Sequence, residues 1–170
     1  RNDQDKVRES LPPVPVLPIN IILRPYQQQA INNWYAAKGR GTLKMATGSG
    51  KTITALATAA ELFKTIELQT LIIICPYRHL VIQWEKECQR FGLDPLLCFE
   101  SRHRWADTLR NRLYNINSGA EKFLTVITTN STFCGTSFQA CLPFFPSKTL
   151  LVGDEAHNLG AKEMLTSLPD

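Results

Sequence analysis

Residues 70 to 75 read TLIIIC, with large apolar side chains at every position from Leu71 to Ile74. Successive side chains of a strand point to opposite faces, so a strand that is apolar throughout is buried on both sides. A sheet buried on both sides needs a covering layer on each, and helices are the usual cover. The surrounding pattern provides them. A helix is predicted from about Pro25 to Lys38, with Ala30, Ile31 and Trp34 on one face and Gly39 and Gly41 ending it. A short strand follows from Thr42 to Met45, then an Ala/Thr/Leu-rich helix from Lys51 to Lys64. Leu80, Val81, Trp84, Cys88 and Phe91 recur at steps of three and four, which marks an amphipathic helix after TLIIIC. Leu96 to Phe99, Phe123 to Thr128 and Thr149 to Gly153 have strand character, and Trp105, Leu109, Leu113 and Ile116 mark a further helix closed by Ser118-Gly119. This alternation predicts an α/β domain with a mainly parallel central sheet between two helical layers.

The 170 residues are expected to form a single folded unit from 19 to 170. Residues 1–18 begin with mixed charge and end in LPPVPVLP, whose prolines remove backbone donors and favour extended chain. They read as a leader or linker, or equally as a strap packed on the domain. With 44% hydrophobic and 20% charged residues the chain is neither disordered nor membrane-embedded, and no apolar run reaches the roughly 20 residues of a membrane span. A net charge of +4 permits a polyanionic partner without requiring one. Cys75, Cys88, Cys98, Cys134 and Cys141 show no CxxC spacing and no zinc-like pairing with His, so they are expected as small buried apolar residues of a reducing compartment, cytoplasmic or, in a eukaryote, nuclear.

Residues 45–52, MATGSGKT, place a glycine-rich turn between the predicted strand and helix. Gly48 and Gly50 allow the backbone to curl so that the N–H groups around Thr47 and Ser49 point at an anion, and the following helix adds the positive end of its dipole. Lys51 can reach the β- and γ-phosphates as a point charge, and the Thr52 hydroxyl can ligate Mg²⁺. This is the pattern of a P-loop for a nucleoside triphosphate such as ATP. The first of its eight positions holds Met45 in place of the usual Gly or Ala, which leaves the phosphate-facing positions intact.

A P-loop calls for an acidic residue at the end of another buried strand, where open α/β sheets bind ligands. Residues 149–157, TLLVGDEAH, deliver Asp154, Glu155 and His157 there. Asp154 is suited to hold Mg²⁺ through water, and Glu155 to orient or deprotonate an attacking water. His157, one step further out, is suited to couple nucleotide state to neighbouring elements.

With these motifs in place the chain, from about Leu23 onward, resembles the first RecA-like motor domain of superfamily 2 helicases and translocases. The resemblance is to the DEAD/DEAH-type branch that includes type I and III restriction motors and UvrB-like proteins. LRPYQ (23–27) is similar to the adenine-recognition element of these motors, which implies that Gln27 pairs with the adenine edge, with Arg24 and Tyr26 nearby. ICPYRHLVIQW (74–84) and VITTNSTF (126–133) are similar to elements beside the nucleic-acid track, which implies phosphate contacts from Arg78 and from Thr129 or Thr128. The resemblance implies a P-loop NTPase fold, ATP with Mg²⁺, movement on nucleic acid (duplex DNA above RNA), and a second RecA-like lobe of the same parent that contributes arginines to catalysis. The coupling motif and second lobe that follow in such motors are absent from this sequence, so the isolated 170 residues are expected to turn ATP over barely or not at all. A P-loop ATPase of another class and a binding module without catalysis are the alternatives.

Arg102, Arg104, Arg110 and Arg112 lie between residues 101 and 112 with Asp107 as the one acid, and hold much of the positive excess. They form either a phosphate-facing surface or a solvated helix face, and Trp105 among them fits burial better than base stacking.

Overall fold

The computed structural model describes residues 13–18, 21–22, 42–44 and 51–153, together with Pro25, Gln28, Gln29 and Asn32. In chain order these form β1 (Thr42–Lys44), α1 (Lys51–Ile66), β2 (Thr70–Cys75), α2 (Arg78–Arg90), β3 (Leu96–Cys98), a 3-10 turn (Arg102–Arg104) and α3 (Ala106–Ser118). There follow β4 (Leu124–Thr129), two single-turn helices α4 (Asn130–Phe133) and α5 (Thr136–Gln139), a 3-10 turn (Leu142–Phe144) and β5 (Thr149–Gly153). Pro25, Gln28, Gln29 and Asn32 are helical, within the span where a helix is predicted; Ala30, Ile31 and Trp34 lie outside the described residues.

The five strands form one sheet in the order β1-β5-β2-β4-β3, and every pairing is parallel. TLIIIC is β2, and it is buried at all six positions. Its side chains divide between two cores, as strand periodicity requires. Leu71, Ile73 and Cys75 join Ile127, Leu150 and Val152 beneath α1 and α2, where Leu56, Ala59, Leu62, Val81, Trp84 and Cys88 meet them. Ile72 and Ile74 join Leu124, Val126 and Leu151 on the opposite face, against α3 and the aromatic residues of 133–145. The result is the three-layer α/β architecture anticipated from the sequence. Each fully buried Leu or Ile side chain contributes about 1.5–3 kcal/mol, so the sheet carries much of the fold's stability.

The helix predicted from Lys51 to Lys64 runs on to Ile66, whereas α3 ends at the predicted Ser118-Gly119. Gly119 adopts φ 85° as the left-handed cap of α3, a conformation that costs glycine little. Residues 13–18 lie extended against the first core: the Val16 N–H donates to the Phe91 carbonyl at 2.9 Å, and Val14 packs on the core cluster. Gly92, at φ 78°, passes so close that an added Cβ would meet the Val14 carbonyl oxygen at 3.2 Å.

Four of the cysteines, Cys75, Cys88, Cys98 and Cys141, are buried as anticipated, whereas Cys134 between α4 and α5 is exposed. Burial, with the charges of Glu85 and Glu87 adding, pushes the Cys88 thiol up to about 12, and burial raises Cys98 as well. These thiols stay protonated and behave as apolar packing groups. Among the described residues there is no cluster of three metal-ligating side chains, and no helix is long and apolar enough to cross a membrane.

Candidate functional site

All five strands point the same way, so their C-terminal ends form one edge. A single register row crosses it: Lys44 pairs with Gly153, Gly153 with Ile74, Ile74 with Thr128, and Thr128 with Cys98. Two of these ends belong to the nucleotide motifs. In sequence, residues 45–50 follow Lys44 at the end of β1, and Asp154 follows Gly153 at the end of the neighbouring strand β5. The pairing Lys44↔Gly153 therefore starts both segments side by side, although they are far apart in sequence. Lys51 is the first residue of α1, and Thr52, half buried, is the second. The start of α1 and the ends of β1 and β5 thus belong to one region of the sheet edge, where open α/β sheets bind ligands. Arg24, Tyr26, Gln27, Thr47, Gly48, Ser49, Gly50, Asp154, Glu155, His157 and the side chain of Lys51 lie outside the described residues.

Beyond β5 the same edge opens into a groove of about 630 Å³ above the ends of β2, β4 and β3. One wall is Pro76, Tyr77 and Arg78, the turn from β2 into α2. The opposite wall is rich in hydroxyls, with Thr129, Ser131, Thr132, Thr136 and Ser137. Glu100, Arg102 and Trp105 close it from the β3 side. Arg78 opens α2, whose first turn carries no acidic residue, so its guanidinium adds to the positive end of the helix dipole. Tyr77 is exposed and stacks on His79, with ring centroids 5.6 Å apart and planes 6° from parallel.

The two threonines ending β4 have different fates because consecutive strand residues face opposite sides. The Thr128 hydroxyl is fully buried and donates to the Cys98 carbonyl at 2.6 Å, tying β4 to β3. It is thereby committed to the sheet and is not among the groove-lining residues. Thr129 lines the groove and caps α4, its Oγ1 accepting from the Thr132 N–H at 3.4 Å.

The arginines of 101–112 also divide. Arg112 donates to Glu121 at 2.8 Å and Arg110 lies 3.6 Å from Asp107, both turned to partners around α3. Arg102 lines the groove, and Arg104 reaches Glu100 at 3.3 Å. Trp105 is buried against Phe138 at 5.9 Å between ring centroids, which makes it a core residue before anything else. Glu100, Tyr77 and the serines and threonines of 131–137 are groove residues that motif reading passed over. The clustered hydroxyls of NSTFCGTS (130–137) were the available signal.

The model of the type III restriction enzyme res subunit family matches residues 20–168. The chain belongs to this family. The chain is also similar to the DNA 3'-5' translocase XPB2 of Sulfurisphaera tokodaii, 31% identical over 160 residues, covering 92% of the chain and 29% of the translocase. An uncharacterised protein of Mycobacterium leprae is 35% identical over 72 residues, covering 42% of the chain and 12% of that protein. The chain thus spans well under half the length of these relatives. Among solved structures, a nuclease-deletion mutant of the type ISP restriction-modification enzyme LlaGI in complex with a DNA substrate mimic matches with a TM-score of 0.58 at 22% identity, over 81% of this chain and 15% of that one. The Sulfolobus solfataricus SWI2/SNF2 ATPase core in complex with dsDNA matches with a TM-score of 0.56 at 19% identity, over 93% and 37% respectively. The fold of the res-subunit chain is therefore that of a RecA-like lobe of superfamily 2 helicase-type ATPases.

Proposed function

We propose that this chain is the ATP-binding lobe of a DNA-dependent ATPase that hydrolyses ATP with Mg²⁺ and moves along duplex DNA in its intact form. The observation that carries the reading is the shared edge: the register pair Lys44↔Gly153 starts the P-loop and the acidic segment side by side, and the hydroxyl- and arginine-lined groove continues along the same strand ends. Membership in the res-subunit family and likeness to the translocase XPB2 support it.

In this reading Thr47 to Thr52 cradle the phosphates, with Lys51 at the β- and γ-phosphates. Arg24, Tyr26 and Gln27 hold the adenine, the Gln27 amide pairing with its edge. Thr52 and Asp154 would hold Mg²⁺, which would supply positive charge to the phosphates. Glu155 orients and deprotonates the attacking water, and His157 links nucleotide state to the track. Arg78 and Thr129 donate to DNA backbone phosphates, and a second RecA-like lobe completes the ATP site with arginines. Two fold neighbours, one with a DNA substrate mimic and one with dsDNA, support DNA as the partner, and the second favours a duplex.

Phosphate release by the intact protein, measured with and without duplex DNA, tests the reading. DNA is expected to stimulate release; background rates in both cases would overturn the enzyme, and DNA-independent hydrolysis would point to a P-loop ATPase of another class. The two threonines separate by the same logic. Thr128→Val removes the donor to a buried carbonyl and is expected to cost about 1–3 kcal/mol in chemical denaturation while leaving DNA affinity unchanged. Thr129→Val is expected to cost about 1 kcal/mol through the lost cap and also to weaken DNA binding. The reverse pattern of DNA affinities would reassign the contact to Thr128.

A further inference from the structure

Glu100 is the acidic member of a groove otherwise lined by arginines, hydroxyls and an aromatic turn. Its carboxylate bridges Arg78 of the groove wall and Arg104, two residues along the chain from the groove residue Arg102: Oε1 lies 3.4 Å from Nη1 of Arg78, and Oε2 lies 3.3 Å from Nη1 of Arg104. Arg78 opens the helix after β2 and Arg104 ends the 3-10 turn after β3, so one carboxylate links the segments that follow two different strands. Its backbone is unusual as well. Glu100 has φ 63°, the left-handed region that glutamate rarely adopts, and this conformation is set where β3 turns into the segment bearing Arg102 and Arg104.

We propose that Glu100 is an internal phosphate surrogate, a carboxylate that holds Arg78 and Arg104 across the free groove and is displaced when a DNA phosphate enters. The inference rests on the reading of the groove as a DNA track and adds its regulation. The chemistry favours exchange. The arginine side chains are 71% and 76% exposed, so water and salt weaken both ion pairs, whereas the Glu100 side chain is 33% exposed and lines the groove. A backbone phosphate offers the same acceptor geometry and belongs to a polyanion whose bound counterions are released on contact. Glu100 thus keeps the arginines in place without DNA, competes with each phosphate for them, and sets how tightly and how salt-sensitively the track is held.

The test measures binding of a short fluorescein-labelled DNA duplex to the intact protein by fluorescence anisotropy, between about 0.05 and 0.2 M salt. Glu100→Gln keeps the size and removes the charge, and is expected to tighten binding about three- to tenfold at the low-salt end, less at the high end. Glu100→Asn, which tolerates the left-handed backbone better, is expected to tighten it equally. In an Arg78→Ala/Arg104→Ala background the same change is expected to have no effect, because the residues that Glu100 holds are gone. Tightening that persists in that background would overturn the surrogate and leave general repulsion of DNA by an acid. Unchanged or weaker binding by Glu100→Gln and Glu100→Asn, with Arg78→Ala weakening binding, would overturn the surrogate and leave the DNA track standing. If neither Arg78→Ala nor the Glu100 variants change binding, the track and the surrogate fall together.

Discussion

Replacing Glu155 with Gln in the intact protein is expected to lower ATP hydrolysis by about 10²- to 10⁴-fold while leaving ATP binding in place. The argument is chemical. Gln matches Glu in size and keeps an oxygen that can accept a hydrogen bond, but its amide cannot take a proton from the attacking water. In the proposed reading binding depends on other groups, the N–H groups of residues 47–50 and the Lys51 charge, so affinity for a fluorescent ATP analogue should hold. Lys51→Ala provides the contrast, because it removes the charge on the phosphates and is expected to lose both binding and turnover. DNA-stimulated phosphate release by Glu155→Gln at the unmodified rate would remove Glu155 from the chemistry and move the search for the base elsewhere on the edge of β5.

Phe138→Ala is expected to destabilise the domain by about 3–5 kcal/mol, read as a lower denaturant midpoint at unchanged slope. Phe138 is fully buried in the second core, with ring centroids 5.3 Å from Phe133, 5.9 Å from Trp105 and 6.0 Å from Phe145. Removing it opens a cavity among three rings that cannot all close in. The effect reaches the groove, because α4 and α5 are single turns that rest on this cluster and carry Ser131, Thr132, Thr136 and Ser137. The variant is therefore expected to bind DNA more weakly even where it remains folded, whereas Phe138→Leu, which keeps most of the apolar volume, retains both properties. A loss below about 1 kcal/mol would show that the pocket collapses around the smaller side chain.

Much of the architecture was legible because its signals are local. TLIIIC told of burial on both faces, and the spacing of Leu80, Val81, Trp84 and Cys88 told of α2. Residues 130–145 were less legible. There Phe133 and Phe138 belong to single-turn helices and Phe145 follows a 3-10 turn, elements too short for any periodicity to show, and the cluster exists only because these short elements fold onto one sheet face. The basic stretch of 101–112 looked like one surface. It is two, since Arg110 and Arg112 turn to Asp107 and Glu121 around α3 while Arg102 and Arg104 sit on a 3-10 turn at the groove.

The residues of the nucleotide motifs, MATGSGKT and DEAH, and the strand-helix alternation that frames them were determined by the sequence itself, because a glycine turn, a strand end and a helix start are chemistry of neighbouring residues. What only the tertiary structure decided is the strand order. By inserting β5 between β1 and β2, the fold brings Gly153 beside Lys44 and lets one strand edge carry both the nucleotide motifs and the groove. It also buried the Thr128 hydroxyl on the Cys98 carbonyl while leaving Thr129 in the groove, and placed Glu100 between Arg78 and Arg104. Each of these depends on sheet register and on partners distant in sequence, and periodicity within one segment holds no record of them.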